Sequence, residues 1–340
     1  MAEEGFRQRF PWIGGHLQTI RNVTMRRAGR IPPDTGQRIW LETDDGSGDV
    51  IALKLSVPEN HDPDGKPLIL LIHGLSGCED SMNQRMSAAW FMGRGHAVAR
   101  LNLRGAGPSE ARCRKRYHSG HTADLALALL HLARDGRLVG EAGIVAMGVS
   151  LGGVILLNHL IRSGRDSGLR AAVSVSSPLD LAAASRRFMA PSNALYKRHL
   201  LARMKALVLT AAPSPDWEPV IRSCRNVWEF DDRIVAPWNG FDGAEDYYAR
   251  CAPLPRLGDI RTPVMLIHAA DDPWVPADPY RSLGKIDAPL QVRLLPRGGH
   301  VGFHEHGTDI PWHNRAAERF FTGVVADRAG RSVPEAGRAA

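Results

Sequence analysis

Gly148-Val149-Ser150-Leu151-Gly152 sets a hydroxyl between two glycines, with the apolar run GIVAM just before Gly148 and the helix-like LGGVILLNHLI just after the serine. A serine at such a strand-to-helix turn is a nucleophile raised above the backbone, on a turn so tight that side chains two before and two after it would collide. The turn also puts the hydroxyl at a helix N-terminus, where the backbone dipole favours developing negative charge. A serine hydroxyl is a poor nucleophile until a base takes its proton. The chemistry expected of Ser150 is therefore attack on a carbonyl, which requires a base, an acid to orient that base, and donors for an oxyanion.

Where this elbow is used, the acid and then the base follow the serine in the chain. The base expected here is His300, in LLPRGGHVGF, a glycine-rich loop after an apolar run. The acid is expected in LIHAADDPWVP, at the end of the preceding apolar run. Of its two carboxylates, Asp272 stands directly before Pro273 and is expected to turn inward; Asp271 is the alternative. Such a carboxylate accepts the Nδ1–H of the imidazole and leaves Nε2 free as base. The oxyanion donors expected are the backbone N–H of Leu151, next to the nucleophile, and that of Leu75, in the loop LLIHGLSGCED. His73 is expected to hold that loop rather than to react. No cofactor is required by this chemistry. A metal at His300, His304 and His306 is not expected, because HExxH spacing and an arranged carboxylate ligand are both missing from the sequence.

These residues need a frame to bring them together, and the frame is legible as alternating short apolar runs and helical patterns. Strands are expected at 38–43, 50–57, 67–73, 97–103, 143–148, 171–176, 263–269 and 290–295, the first two as edge strands because they carry charges. Helices are expected at 80–93, 122–135, 151–162, 278–283 and 314–326. The alternation predicts an α/β fold with a mostly parallel central sheet covered on both faces. With the elbow and the order of its partners it predicts the α/β-hydrolase fold. The interval 178–259 breaks the alternation, with Trp217, Trp228, Trp238, Tyr247 and Tyr248 and no strand pattern. It is expected to be a helical cap over the C-terminal edge of the sheet, where sites in open α/β sheets lie. The expected division is an N-terminal extension over 1–35, core over 36–177, cap over 178–259, core over 260–326 and a disordered tail over 327–340.

At 340 residues, 44% hydrophobic and 23% charged, the chain can bury a full-sized core. No apolar run approaches the roughly 18 residues of a membrane span, and the N-terminus lacks the apolar segment of a secretory signal, so a soluble cytoplasmic protein is expected. Cys78, Cys113, Cys224 and Cys251 show no C-x-x-C spacing and are expected as reduced thiols. The formal charge of +7 gathers at Arg26, Arg27 and Arg30 and at Arg112, Arg114, Lys115 and Arg116. Without a nucleic-acid-binding motif these read mainly as a solvated surface, with peripheral contact to an anionic membrane as the functional alternative.

Longer segments carry a family likeness. PWIGGHLQTI (11–20), HGLSG, LNLRGAGPSE followed by YHSGHTADL, MGVSLGG, SSPLDLAA, EFDDRIVAPWNGFDGAEDYY, HAADDPWVP and GGHVGF resemble the AB hydrolase 4 family, the YheT-like hydrolases, from about residue 11 to 321. The resemblance implies a carboxylic-ester hydrolase with Ser150, Asp272 and His300 as its triad, acting on small acyl esters that include lipid-like ones; animal and plant relatives include membrane-associated lipid hydrolases. The chain departs from that pattern at Gly14-Gly15, where asparagine-proline is usual, and at His121, where an acidic residue is usual. His16, Tyr117, His118, Asp231 and Asp232 are expected to fix loops by hydrogen bonding, or else to line the pocket. The same triad would also serve an amide, a thioester or a carbon–carbon bond, and a silent ligand-binding scaffold would be expected to have lost a triad member.

Overall fold

The computed structural model describes residues 6–24, 36–211, 214, 216–284 and 286–331, so the cluster Arg26, Arg27 and Arg30 and the end of the expected tail lie outside the described residues. Eight strands, β1 Gln37–Glu42, β2 Val50–Ser56, β3 Leu68–Ile72, β4 Val98–Asn102, β5 Ile144–Val149, β6 Ala171–Val175, β7 Val264–Ala269 and β8 Leu290–Leu295, form one sheet in the order β1-β2-β4-β3-β5-β6-β7-β8. The strands β3 to β8 are mutually parallel, while β2 runs antiparallel to both β1 and β4.

The central strands are apolar throughout because both faces are covered. In β3, Leu68, Leu70 and Ile72 point into one core and Ile69 and Leu71 into the other. Leu125, Leu129 and Leu132 of α3 (Ala123–Ala133) and Ile155, Leu156 and Leu160 of α4 (Leu151–Ser163) close the first core. Ala88 and Phe91 of α2 (Met82–Met92) and Ala317 and Phe321 of α12 (Trp312–Arg331) close the second. Burying one such aliphatic side chain contributes about 1.5–3 kcal/mol, so these two layers hold the strand ends in fixed positions.

Two expectations are corrected. The strand at 50–56 is not an edge: it pairs on both sides, and Ile51, Ala52 and Leu53 are fully buried. Its Lys54 misled, because a long amine at the sheet's periphery reaches solvent from a covered strand. The second edge is β8, half-buried along its whole length. A helix was also missed, α1 (Gly15–Thr24), which follows directly on Gly14.

Between β6 and β7 the described residues form six α-helices: α5 Leu181–Phe188, α6 Ala194–Leu209, α7 Trp217–Ser223, α8 Val227–Phe230, α9 Ala236–Trp238 and α10 Ala244–Cys251. A π-helical turn over Asp231–Val235 joins α8 to α9, and no strand occurs here among the described residues. Leu201, Met204 and Val208 of α6 pack with Ile221, Phe230 and Ile234, and Leu75 of the β3 loop leans on this cluster. Tyr247 and Tyr248 of α10 pack with Leu181 and with Val154 of α4. The remaining short helix, α11 (Asp278–Arg281), follows β7.

Candidate active site

Ser150 sits where β5 passes into α4, with φ 52° and ψ −123°. A non-glycine residue at positive φ is strained, and such strain persists only where the surroundings enforce it. Here they do. A Cβ on Gly148 would press on Gly152 and Gly153, and one on Gly152 would run into the carbonyl oxygens of Ile72 and His73. The paired glycines of the motif therefore allow β3, β5 and α4 to meet under the serine.

His300 is brought to Ser150 from 150 residues away: its Nε2 accepts from the Ser150 hydroxyl at 3.0 Å. Its Nδ1–H donates to Asp272 Oδ2 at 2.8 Å, which fixes the tautomer. Asp272 is 1% exposed. Its other oxygen, Oδ1, accepts the N–H groups of Trp274 at 2.8 Å and Val275 at 3.0 Å. Burial pushes the Asp272 carboxyl upward, but the His300 charge and hydrogen bond, His268 and the Val275 N–H outweigh it and hold the group below its ordinary value. Asp271 serves the loop instead. Its Oδ1 accepts the Gly299 N–H at 2.9 Å, and burial raises its carboxyl. The two neighbouring aspartates thus have separate work, and it is Asp272 that meets the imidazole.

The loop after β3 lies against the elbow, with Gly74 so close that an added Cβ would stand 3.1 Å from Ser150 Cβ. His73 holds this loop: Nδ1–H donates to the Gly74 carbonyl at 2.7 Å while Nε2 accepts the Leu103 N–H at 3.1 Å. Accepting at one nitrogen and donating at the other requires the neutral ring, and burial lowers its pKa to about 4. The Tyr117 hydroxyl accepts the Ser76 N–H at 2.7 Å from the far side. Leu75 is thereby fixed between two anchored neighbours, beside Ser150. Leu151 opens α4, and the first N–H groups of a helix have no intrahelical acceptor.

The other loop-fixing expectations resolve one by one. Tyr248 donates to Asp231 Oδ2 at 2.7 Å, Ala244 N–H to Asp232 Oδ1 at 2.9 Å, and Gly120 N–H to His118 Nδ1 at 3.2 Å. His121, at the position where an acidic residue is usual, pairs with Asp124 at 3.1 Å. His304 leaves the site, its Nδ1 meeting Arg21 at 2.8 Å. Among the described residues no group of three or more His, Cys, Asp or Glu is disposed to hold a metal, and all four cysteines are free.

Several supporting residues carry no motif of their own. Thr19 Oγ1 in α1 accepts the His300 N–H at 2.9 Å, and Gln18 Oε1 accepts the His304 N–H at 2.7 Å. Gly299, at φ 62°, packs so tightly on the Gly15 carbonyl that a side chain has no room there. The Trp274 ring lies 4.4 Å from the His300 ring, and Tyr196 of α6 lies 5.2 Å from Trp274. The signal that was available is the HLQT segment itself, whose polar pair falls on one turn of helix.

A family model described as the α/β hydrolase family matches residues 69–310. YheT of Escherichia coli K12 is 33% identical over 294 residues, covering 85% of this chain and 84% of that protein. The monoacylglycerol lipase of Saccharomyces cerevisiae is 27% identical over 279 residues, covering 77% of this chain and 60% of the lipase. Among solved structures, an esterase from Pyrococcus furiosus superposes with a TM-score of 0.57 at 14% identity, over 85% of this chain and 90% of that one, a likeness of fold alone. The fold is that of the α/β hydrolases. No helix among the described residues is long and apolar enough to cross a membrane.

Proposed function

Because this chain belongs to the α/β hydrolase family, we propose that it is a serine-dependent carboxylic ester hydrolase working through an acyl-enzyme on small acyl esters, lipid-like or short-chain. One observation carries the reading: the unbroken hydrogen-bonded series Ser150–His300–Asp272, at 3.0 and 2.8 Å. Ser150 Oγ attacks the acyl carbonyl carbon while its proton passes to His300 Nε2. The imidazolium that forms is stabilised by Asp272, which the environment keeps as a carboxylate. The carbonyl oxygen, now an oxyanion, takes the N–H groups of Leu75 and Leu151; losing one such donor typically costs about 3–4 kcal/mol of transition-state stabilisation. As the C–O bond to the alcohol breaks, His300 returns the proton to the leaving oxygen. Water then repeats the sequence on the acyl-serine, releasing the acid and restoring the hydroxyl.

Residues 178–259 act in this reading as the cap. The support is that Arg203 of α6 donates to the Ser76 carbonyl at 2.5 Å and Arg116 donates to the Leu207 carbonyl at 2.9 Å. Both contacts tie the insertion to loops beside Ser150. The lipase name carried by a relative favours an ester over an amide or thioester. The test is labelling with a fluorophosphonate probe, followed by turnover of an ester panel graded by acyl length. Wild type labels and hydrolyses; Ser150→Ala does neither, with kcat lower by on the order of 10⁴–10⁶. Labelling that survives in Ser150→Ala, or no turnover anywhere in the panel, overturns the reading.

A further inference from the structure

Of the seven exposed large hydrophobic side chains among the described residues, Trp40, Val57 and Leu130 lie on β1, just after β2 and on α3, and the other four lie on two elements that touch. Phe10, Ile13 and Leu17 belong to α1 and the turn leading into it, and Leu195 to the first turn of α6; Phe10 is 77% and Leu195 80% exposed. The two elements touch, because the rings of His16 and Tyr196 stack with planes 1° apart and centroids separated by 5.8 Å. Tyr196 in turn reaches the site through Trp274 and His300, while Arg203, two turns on, is bonded to Ser76. Thus α6 runs from the imidazole side of the site to the β3 loop side. Its inner residues Leu201, Met204 and Val208 are buried, and Leu195, Arg198, His199 and Ala202 face outward.

Charge follows the same face. From Leu181 to Ala211 the chain carries Arg186, Arg187, Lys197, Arg198, Arg203 and Lys205, and no aspartate or glutamate. Arg186, Arg187 and Arg198 are exposed and have no carboxylate partner among the described residues. On the α1 side Arg9 and Arg21 are paired with Asp309, so the unpaired cations are those of α5 and α6. Apolar side chains beside such a basic, acid-free stretch are what an anionic bilayer surface attracts: cations meet headgroups, and the apolar groups enter the acyl boundary.

We propose that the outer face of α1 and α6, with α5, docks this protein on the surface of an anionic phospholipid bilayer. The inference goes beyond the ester reading and stands apart from it, since binding is measured without turnover. The full chain carrying Ser150→Ala is co-sedimented with vesicles of phosphatidylcholine alone and with vesicles containing about one-quarter phosphatidylserine, at about 50 and 500 mM salt. Binding is expected on the anionic vesicles at low salt and to fall at high salt. Two surface variants, Leu17→Glu/Leu195→Glu and Arg186→Glu/Arg187→Glu/Arg198→Glu, are each expected to lower partition about tenfold. Neither is expected to change hydrolysis of a water-soluble ester by more than about twofold in the Ser150 protein, since the replaced side chains face solvent. No binding at low salt, equal binding to neutral vesicles, or unchanged binding by both variants overturns the proposal. So does self-association that both variants abolish while vesicle binding is absent, which would assign this face to a second copy.

Discussion

At the C-terminal ends of β3, β5, β7 and β8 stand His73, Ser150, Asp272 and His300; at the N-terminal ends of β5, β6 and β7 lies a cavity of about 360 Å³ lined by Gly143, Arg165, Arg170, Arg261 and Thr262 among others. The second end thus offers room. The backbone points to the first. All five described non-glycine residues at positive φ, Ser76, Ser150, Ser176, Val301 and Phe303, occur in loops that leave the C-terminal ends of strands. Turns entering the strands at the other end give their positive φ to glycines such as Gly95, Gly143 and Gly168, at no steric cost. Strain is retained at the first end because convergent hydrogen bonds hold it there: Val301 N–H on Ser176 Oγ at 3.1 Å, and Ser76 N–H on Tyr117. Room alone does not mark chemistry; over-determined backbone beside polar side chains does.

The contrast can be broken at its strongest point by separating the two neighbouring aspartates. Asp272→Asn is expected to lower kcat by about 10⁴, because the amide favours the wrong imidazole tautomer. Asp271→Asn is expected to stay within about tenfold, since an amide oxygen can still accept the Gly299 N–H. Equal losses in ester hydrolysis would remove the distinction drawn between them. Next in size is a stability difference. Gly152→Ala presses a methyl onto the Ile72 and His73 carbonyls and is expected to cost about 1–3 kcal/mol in urea unfolding. Gly136→Ala, in the turn before β5 where nothing lies within 4 Å, is expected to stay within about 0.5 kcal/mol.

A smaller effect sharpens the role of α1. Thr19→Val leaves the buried His300 N–H without an acceptor, a cost of about 1–3 kcal/mol. The expected reading is kcat down about tenfold with KM nearly unchanged, and recovery in Thr19→Ser. A loss confined to KM, or no rescue by serine, would make Thr19 a packing residue. The smallest effect belongs to the opposite end of the sheet: Arg170→Ala and Arg261→Ala are expected to leave kcat/KM within about twofold.

The sequence was legible where short-range rules decide. All eight strand positions follow from short apolar runs and their turn punctuation, and the elbow follows from glycine spacing together with the apolar run before it and the helical pattern after it. The meeting of Ser150, His300 and Asp272 was legible because chain order and strand ends leave few candidates. Illegible were contacts across long separations. Thr19 meets His300 over 281 positions, and no local pattern announces that a helix behind two glycines will brace a loop near the other end. The edge status of the strand at 50–56 failed for a similar reason, since pairing with β4 depends on a strand that comes later in the chain. The same holds for Tyr117, whose hydroxyl is explained only by the Ser76 amide that it meets.

The brace between α1 and the His300 loop has a consequence for how activity arises during synthesis. Closing a loop of that length is an entropic cost that the chain meets only once residue 300 has been made. A growing chain that has already made the elbow holds a serine without its base, and the helix that will steady that base waits from the outset for the last stretch to arrive. On the proposed reading, a chain still short of residue 300 therefore carries an unactivated hydroxyl, and reactivity waits for that loop to close.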